Sequence, residues 1–191
     1  MCDKPENVIT DVIRIIGDDP ERDGLKGTPN RVLRAWGNEL FTGYKWKHEE
    51  IKKMLSVTFT ETNEYDQMIL CGPIEFTSFC EHHILPFVGE CYVGYIPNGR
   101  VVGLSKIPRL VDIFARRLQI QERLTQEIAD TFNGCVKPLG VGVLIKAKHL
   151  CMGCRGAKQP GAAMLTSALG GVFLDKISVK DEFLTLVGMN Q

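Results

Sequence analysis

Apolar residues recur at helical spacing early in the chain and later switch to alternation. Val8, Ile9, Val12, Ile13, Ile15 and Ile16 give residues 6–17 one apolar face. A polar turn follows, from Asp18-Asp19-Pro20 to Gly27. Thr28-Pro29 reads as an N-cap with proline at the first helical position, where its missing N–H costs nothing. Val32, Leu33, Trp36, Leu40 and Phe41 supply the buried stripe of this second helix, and Gly43 reads as its stop. A short third helix is expected around 48–55. The spacing therefore predicts an N-terminal helical arm over residues 1–55 and a second domain over 56–191.

From residue 56 the period changes to two. Val57 and Phe59 alternate with Thr58 and Thr60, and Ile74, Phe76 and Ser78 alternate with Glu75 and Thr77. Residues 88–96 and 100–104 read as two further strands around the turn Pro97-Asn98-Gly99. Helical patterns return at 106–117 (Leu110, Ile113, Phe114) and 119–133 (Ile120, Leu124, Ile128, Phe132). A strand at 141–151, a Gly-rich bend, a strand near 162–173 and a helix from about 178 complete the pattern. Strands, then helices, then strands indicate an α+β fold, an antiparallel sheet with helices on one face.

Length and composition narrow the class. The 191 residues correspond to roughly one domain with an added element. The 23 basic and 23 acidic residues balance, which argues against a general footprint for nucleic acid or an acidic membrane surface. No apolar run reaches the length of a spanning helix, and Met1-Cys2-Asp3-Lys4-Pro5-Glu6 lacks a signal-peptide core, so a cytoplasmic protein is expected. The seven cysteines (2, 71, 80, 91, 135, 151 and 154) do not suggest a disulfide framework in that compartment. Some are better read as metal ligands.

Three of the four histidines fall in two clusters, Cys80-Glu81-His82-His83 and His149-Leu150-Cys151. Along a strand, residues two apart project to one face, so His149 and Cys151 are expected to point together. Cys80 and His83, three apart, can be presented to one ion by a turn. Thiolate with imidazole suits zinc, whereas magnesium would want carboxylates. Cys80, His83 and Cys151 make a three-ligand site with a fourth position for an activated water. Adding Cys154, through the Cys151-Met152-Gly153-Cys154 spacing, would close it as a structural site. Both arrangements are open at this point. In the open one, His82 and His149 are free to move protons, although sequence alone does not separate His82 from His83 as the ligand.

A second constellation is Ser105-Lys106-Ile107-Pro108-Arg109 at a strand-to-helix junction. Free N–H groups, the positive dipole end and two cations there make a local phosphate site, to which Arg155 can add a third cation.

These residues resemble a known family. FTSFCEHHILPFVGECYVGYIPNGRVVGLSKIPRLVDIFARRLQIQERLTQEIA is similar to the core of GTP cyclohydrolase I, and HLCMGCRG, TSALGGVF and GLKGTPNRVLRAW match the same family. The resemblance spans roughly residues 24–187. It implies a tunnelling fold, in which sheets of several subunits join into a barrel, and a homodecamer of two stacked pentamers with active sites between subunits. It implies conversion of GTP and water to 7,8-dihydroneopterin triphosphate and formate, a product from which folate, biopterin and 7-deazaguanine routes begin. Carried over by motif, Cys80, His83 and Cys151 would hold zinc, with His82 and His149 moving protons as water attacks C8 of guanine and the imidazole ring opens. Ser105 would contact the ribose. Lys106, Arg109, Arg155 and Arg31 would grip the triphosphate, and Glu122, with Gln121 beside it, would accept from the guanine N1 and N2 groups.

Two features depart from the family pattern: Cys154, where members usually carry another residue, and the segment Lys158-Gln159-Pro160-Gly161-Ala162-Ala163. Two other readings compete. A tunnelling-fold reductase acting on a deazapurine nitrile would share the purine-anchoring glutamate without needing CEHH and HxC together. A zinc-stabilised, non-catalytic nucleotide-binding oligomer would need the closed four-ligand site.

Overall fold

The computed structural model describes residues 4–60 and 65–188, so Cys2 lies outside the described residues. The chain divides into two compact units, the first running through Thr42 and the second beginning at Gly43.

In the first unit, α1 (Pro5–Ile15) and α2 (Thr28–Ala35) pack on each other, and a single π-helical turn (Trp36–Leu40) extends the second. Only Ile9 and Ile13 of the expected α1 stripe are buried, and Val8, Val12, Ile15 and Ile16 are exposed. The cap of α2 differs from expectation. Gly27 is the N-cap and Thr28 already helical, because the Thr28 hydroxyl accepts from Arg31 at 2.8 Å and does not turn back onto the helix N–H groups. In the polar turn, Arg22 bonds both carboxylate oxygens of Asp18 at 2.8 Å and holds its pKa down to about 2.

The second unit contains α3 (His48–Leu55), β1 (Thr58–Phe59), β2 (Ile69–Cys80), β3 (Pro86–Ile96), β4 (Val101–Val102), α4 (Lys106–Ala115) and β5 (Leu118–Gln119). It continues with α5 (Gln121–Val136), β6 (Gly140–His149), α6 (Leu150–Gly153), β7 (Met164–Gly171), α7 (Val172–Asp175) and α8 (Ile177–Leu186). Its main sheet has the order β5-β2-β3-β6-β7, antiparallel except for the short β2–β5 pair. The class is α+β, as the order of elements predicts.

Alternation decides the two faces. Val141, Val143 and Ile145 of β6 join a core built with Leu110, Val111 and Phe114 of α4, Leu124, Ile128 and Phe132 of α5, and Ile51 and Leu55 of α3. Leu144, one residue out of phase, packs on the other face with Phe173 and Phe183 of α7 and α8. At roughly 1.5–3 kcal/mol for each large apolar side chain removed from water, the first cluster dominates the stability of the fold.

Two expectations are corrected here. Residues 88–96 and 100–104 do not form a hairpin, since both flanks of β3 are taken by β2 and β6, and β4 pairs with β1. Gly43 is not a helix stop but a point of close approach. Its N–H donates to the Arg116 carbonyl at 3.0 Å, and a Cβ there would stand 2.1 Å from the Ile113 carbonyl oxygen. Among the described residues, no helix is long and apolar enough to cross a membrane.

Candidate active site

Strands β2 and β6 both run antiparallel to β3, so they end at the same end of the sheet. There β2 delivers Cys80, buried against the core. The chain then turns through Glu81, His82 and His83, closed by Ile84 N–H to Cys80 C=O at 2.8 Å and Cys80 N–H to Leu85 C=O at 2.9 Å. At the end of β6 the backbone is extended at His149 and then coils into α6, which carries Cys151. His149 and Cys151 therefore do not share a strand face as expected. A helical turn brings the sulfur round, its last turn held by Cys154 N–H to Leu150 C=O at 2.9 Å.

The donor atoms of Cys80, His83 and Cys151 lie within 4.8 Å of one another. His83 Nδ1 is 3.9 Å from Cys80 Sγ, and the exposed His82 stands alongside with its Nδ1 at 3.8 Å from the same sulfur. Burial, and then the adjacent Cys80 sulfur, hold the Cys151 thiol above its ordinary pKa. Two crowded sulfurs with one imidazole fit a borderline-soft divalent cation, because a positive charge between them removes the obstacle to ionisation. Cys154 is exposed and is not in this group, and among the described residues no fourth histidine, cysteine or carboxylate joins it.

Arg155 reaches the cluster from beyond α6, its Nη1 at 2.7 Å from His83 Nε2.

His149 is half-buried on the other side. Its ring lies flat on Phe87, with centroids 4.5 Å apart and planes 3° from parallel, and its Nε2 is 2.8 Å from Gln121 Oε1. Burial pushes its pKa below the ordinary imidazole value, opposed by the nearby Glu122 carboxylate. A cavity of about 340 Å³ opens beside it, lined in part by Lys148, His149, Leu150 and Cys154.

The start of α5 supplies the remaining neighbours. Glu122 is exposed, whereas Gln119 and Gln121 are each 1% exposed. Gln119 donates to the Phe114 carbonyl and to Glu127, and accepts from Arg123, which also pairs with Glu81. That guanidinium holds the Glu81 carboxyl below the usual range. Phe87, Glu81 and Arg123 are the neighbours that motif spacing did not single out. Their only sequence signal is adjacency, Glu81 inside CEHH and Phe87 four residues past it.

The structure does not bring every expected residue to this cluster. Ser105 and Arg109 are exposed and Lys106 half-buried at the N-terminus of α4, with no hydrogen bond or ion pair to Cys80, His83 or Cys151 among the described residues. Arg31, in the first unit, donates to the Gly24 carbonyl at 3.1 Å and to Thr28.

Residues 5–188 match the family model described as GTP cyclohydrolase I. A GTP cyclohydrolase 1 from Leptospira biflexa is 48% identical over 182 residues, covering 95% of this chain and 97% of the relative. One from Campylobacter curvus is 46% identical over 192 residues, covering 100% and 98%. Among solved structures, the apo form of an archaeosine synthase QueF-Like matches 56% of this chain and 94% of its own, at 20% identity and a TM-score of 0.45.

Proposed function

The chain belongs to the GTP cyclohydrolase I family, and from that premise we propose that it hydrolyses GTP to 7,8-dihydroneopterin triphosphate and formate with zinc held by Cys80, His83 and Cys151. The observation that carries this reading is the convergence of those three donors within 4.8 Å at a solvent-facing sheet end, with a second imidazole in a hydrogen-bonded socket beside them. Zinc bound there supplies Lewis-acid activation of water for attack on C8 of guanine.

The chain's own residues do the rest. His82, exposed next to the cluster, and His149, half-buried beside it, move protons as the imidazole ring of the base opens and formate departs. Glu122 reads guanine through its N1 and N2 hydrogens. Adenine offers no such pair of donors. Arg155 lies at the cluster, where it grips phosphate once the nucleotide draws it from His83. Lys106 and Arg109 add two cations at the helix start, and Ser105 meets the ribose.

The working form is a ring-built homodecamer of two pentamers. Both edges of the sheet support assembly through strand pairing, since among the described residues β7 has no strand on its outer side and β5 covers only Phe79 and Cys80 of β2. The reaction runs in the cytoplasm, where ligand thiols stay reduced.

Incubation of the metal-loaded protein with GTP tests the reading. Formate and an oxidisable, fluorescent pterin form in equal amounts, and a chelator stops both. Unchanged GTP with a full complement of zinc would refute it.

A further inference from the structure

Gln121 opens α5 with its side chain turned inward, 1% exposed, and both ends of its amide are hydrogen-bonded. Nε2 is 3.2 Å from the Ile145 carbonyl on β6, 3.0 Å from the Met164 carbonyl on β7 and 3.1 Å from Thr166 Oγ1. Two of these partners are carbonyls, which only accept, so the amide nitrogen belongs at this end.

The threonine is also an acceptor here. Thr125 Oγ1 gives its hydrogen to the Gln121 backbone carbonyl at 2.7 Å, and Thr166 Oγ1 is 2.6 Å from Thr125 Oγ1. With the Thr125 hydrogen already placed, the Thr166 hydroxyl must donate to Thr125, and its lone pairs face Gln121. Turning the amide over would aim Oε1 at two carbonyl oxygens in a buried space.

The oxygen end is therefore fixed as well. Gln121 Oε1 faces His149 Nε2 at 2.8 Å, and an amide oxygen cannot donate, so the hydrogen lies on Nε2. Phe87, stacked 3° from parallel on the ring, holds its plane against rotation. Nδ1 has no hydrogen-bond partner among the described residues.

We propose that Gln121 is a positioning residue that locks His149 as the Nε2–H tautomer, so that Nδ1 is the only lone pair the ring offers for proton transfer. The side chain of Gln121 then does not read guanine itself; it is already committed to β6, β7 and the histidine, and base recognition at this helix start falls to Glu122. The assignment rests on the reading of His149 as a proton carrier, yet its geometry is a property of the protein without nucleotide. The hydrogen bond on one imidazole nitrogen decides which tautomer the other presents.

The test is solid-state ¹⁵N NMR of the full-length, metal-loaded protein labelled at its histidine ring nitrogens. The His149 lines are assigned by difference from His149→Phe. The expected wild-type spectrum has a pyrrole-type Nε2 and a pyridine-type Nδ1, and the reverse pattern overturns the proposal even where no Gln121 variant folds. In Gln121→Met the lines should move to a tautomer mixture while kcat for GTP falls about 10- to 100-fold and KM stays within about threefold. Thr166→Val, which removes one of three acceptors, should move both readouts the same way by less. Unchanged His149 lines with a raised KM would make Gln121 a substrate contact and overturn the assignment. Because the tautomer is read from the ring and not from turnover, failure of the GTP reaction and failure of this proposal show separately.

Discussion

The sheet end that carries His149 and the helix start that carries Lys106 are built on opposite physical plans. At the first, the side chains are held before any ligand arrives. Cys80 is buried, His149 is stacked and hydrogen-bonded, and Gln121 is hydrogen-bonded at both ends of its amide. At the second, Ser105 makes no side-chain cap, and Lys106 and Arg109 have no ion-pair partner among the described residues. Groups that make and break bonds lose rate when misplaced by an ångström, so their positions are set by the fold. Cations that hold a triphosphate act through charge, tolerate motion and can be ordered by the ligand or by another chain.

This contrast can be broken by mutation, and the expected effects fall in order. Cys151→Ser should lose zinc, read as metal per chain, and lower kcat by about a thousandfold or more, since several kcal/mol of Lewis-acid stabilisation disappears. His149→Ala should keep its zinc while kcat drops about 100- to 10,000-fold, the range of a positioned proton carrier. Loss of metal in that variant would mean that ligand and proton carrier have been interchanged. Lys106→Ala or Arg109→Ala should spare kcat and raise KM for GTP about tenfold each, the low end for a charge-assisted hydrogen bond at an exposed site. Cys154→Ser should change neither metal content nor turnover by more than about twofold, as expected for an exposed thiol outside the donor group.

Much of this was legible in the sequence because it depends on local pattern. Period-two alternation located β2, and period-3.6 stripes located α1, α2, α4 and α5, since each of these elements has its buried face written along its own length. Pairing was less legible. The Pro97-Asn98-Gly99 turn looks like a hairpin, and only the occupation of both β3 flanks shows that it is not. The cysteine-histidine cluster was visible because ligands crowd together in sequence, but the conversion of strand to helix between His149 and Cys151 was not, as no proline or glycine marks it. Gln121 was hardest to read. Beside Glu122 it resembles one more polar residue at a helix start, and its three acceptors come from residues 145, 164 and 166, far along the chain.

X-ray absorption at the zinc edge of the loaded protein, in the absence of nucleotide, tests the centre of the account most directly. Zinc held by Cys80, His83 and Cys151, as proposed, should show a first shell of two sulfur and two light-atom scatterers, with one light atom exchangeable and the spectrum unchanged in Cys154→Ser. A shell of three sulfurs and one nitrogen, losing a sulfur in Cys154→Ser, would contradict it and make the metal a structural staple.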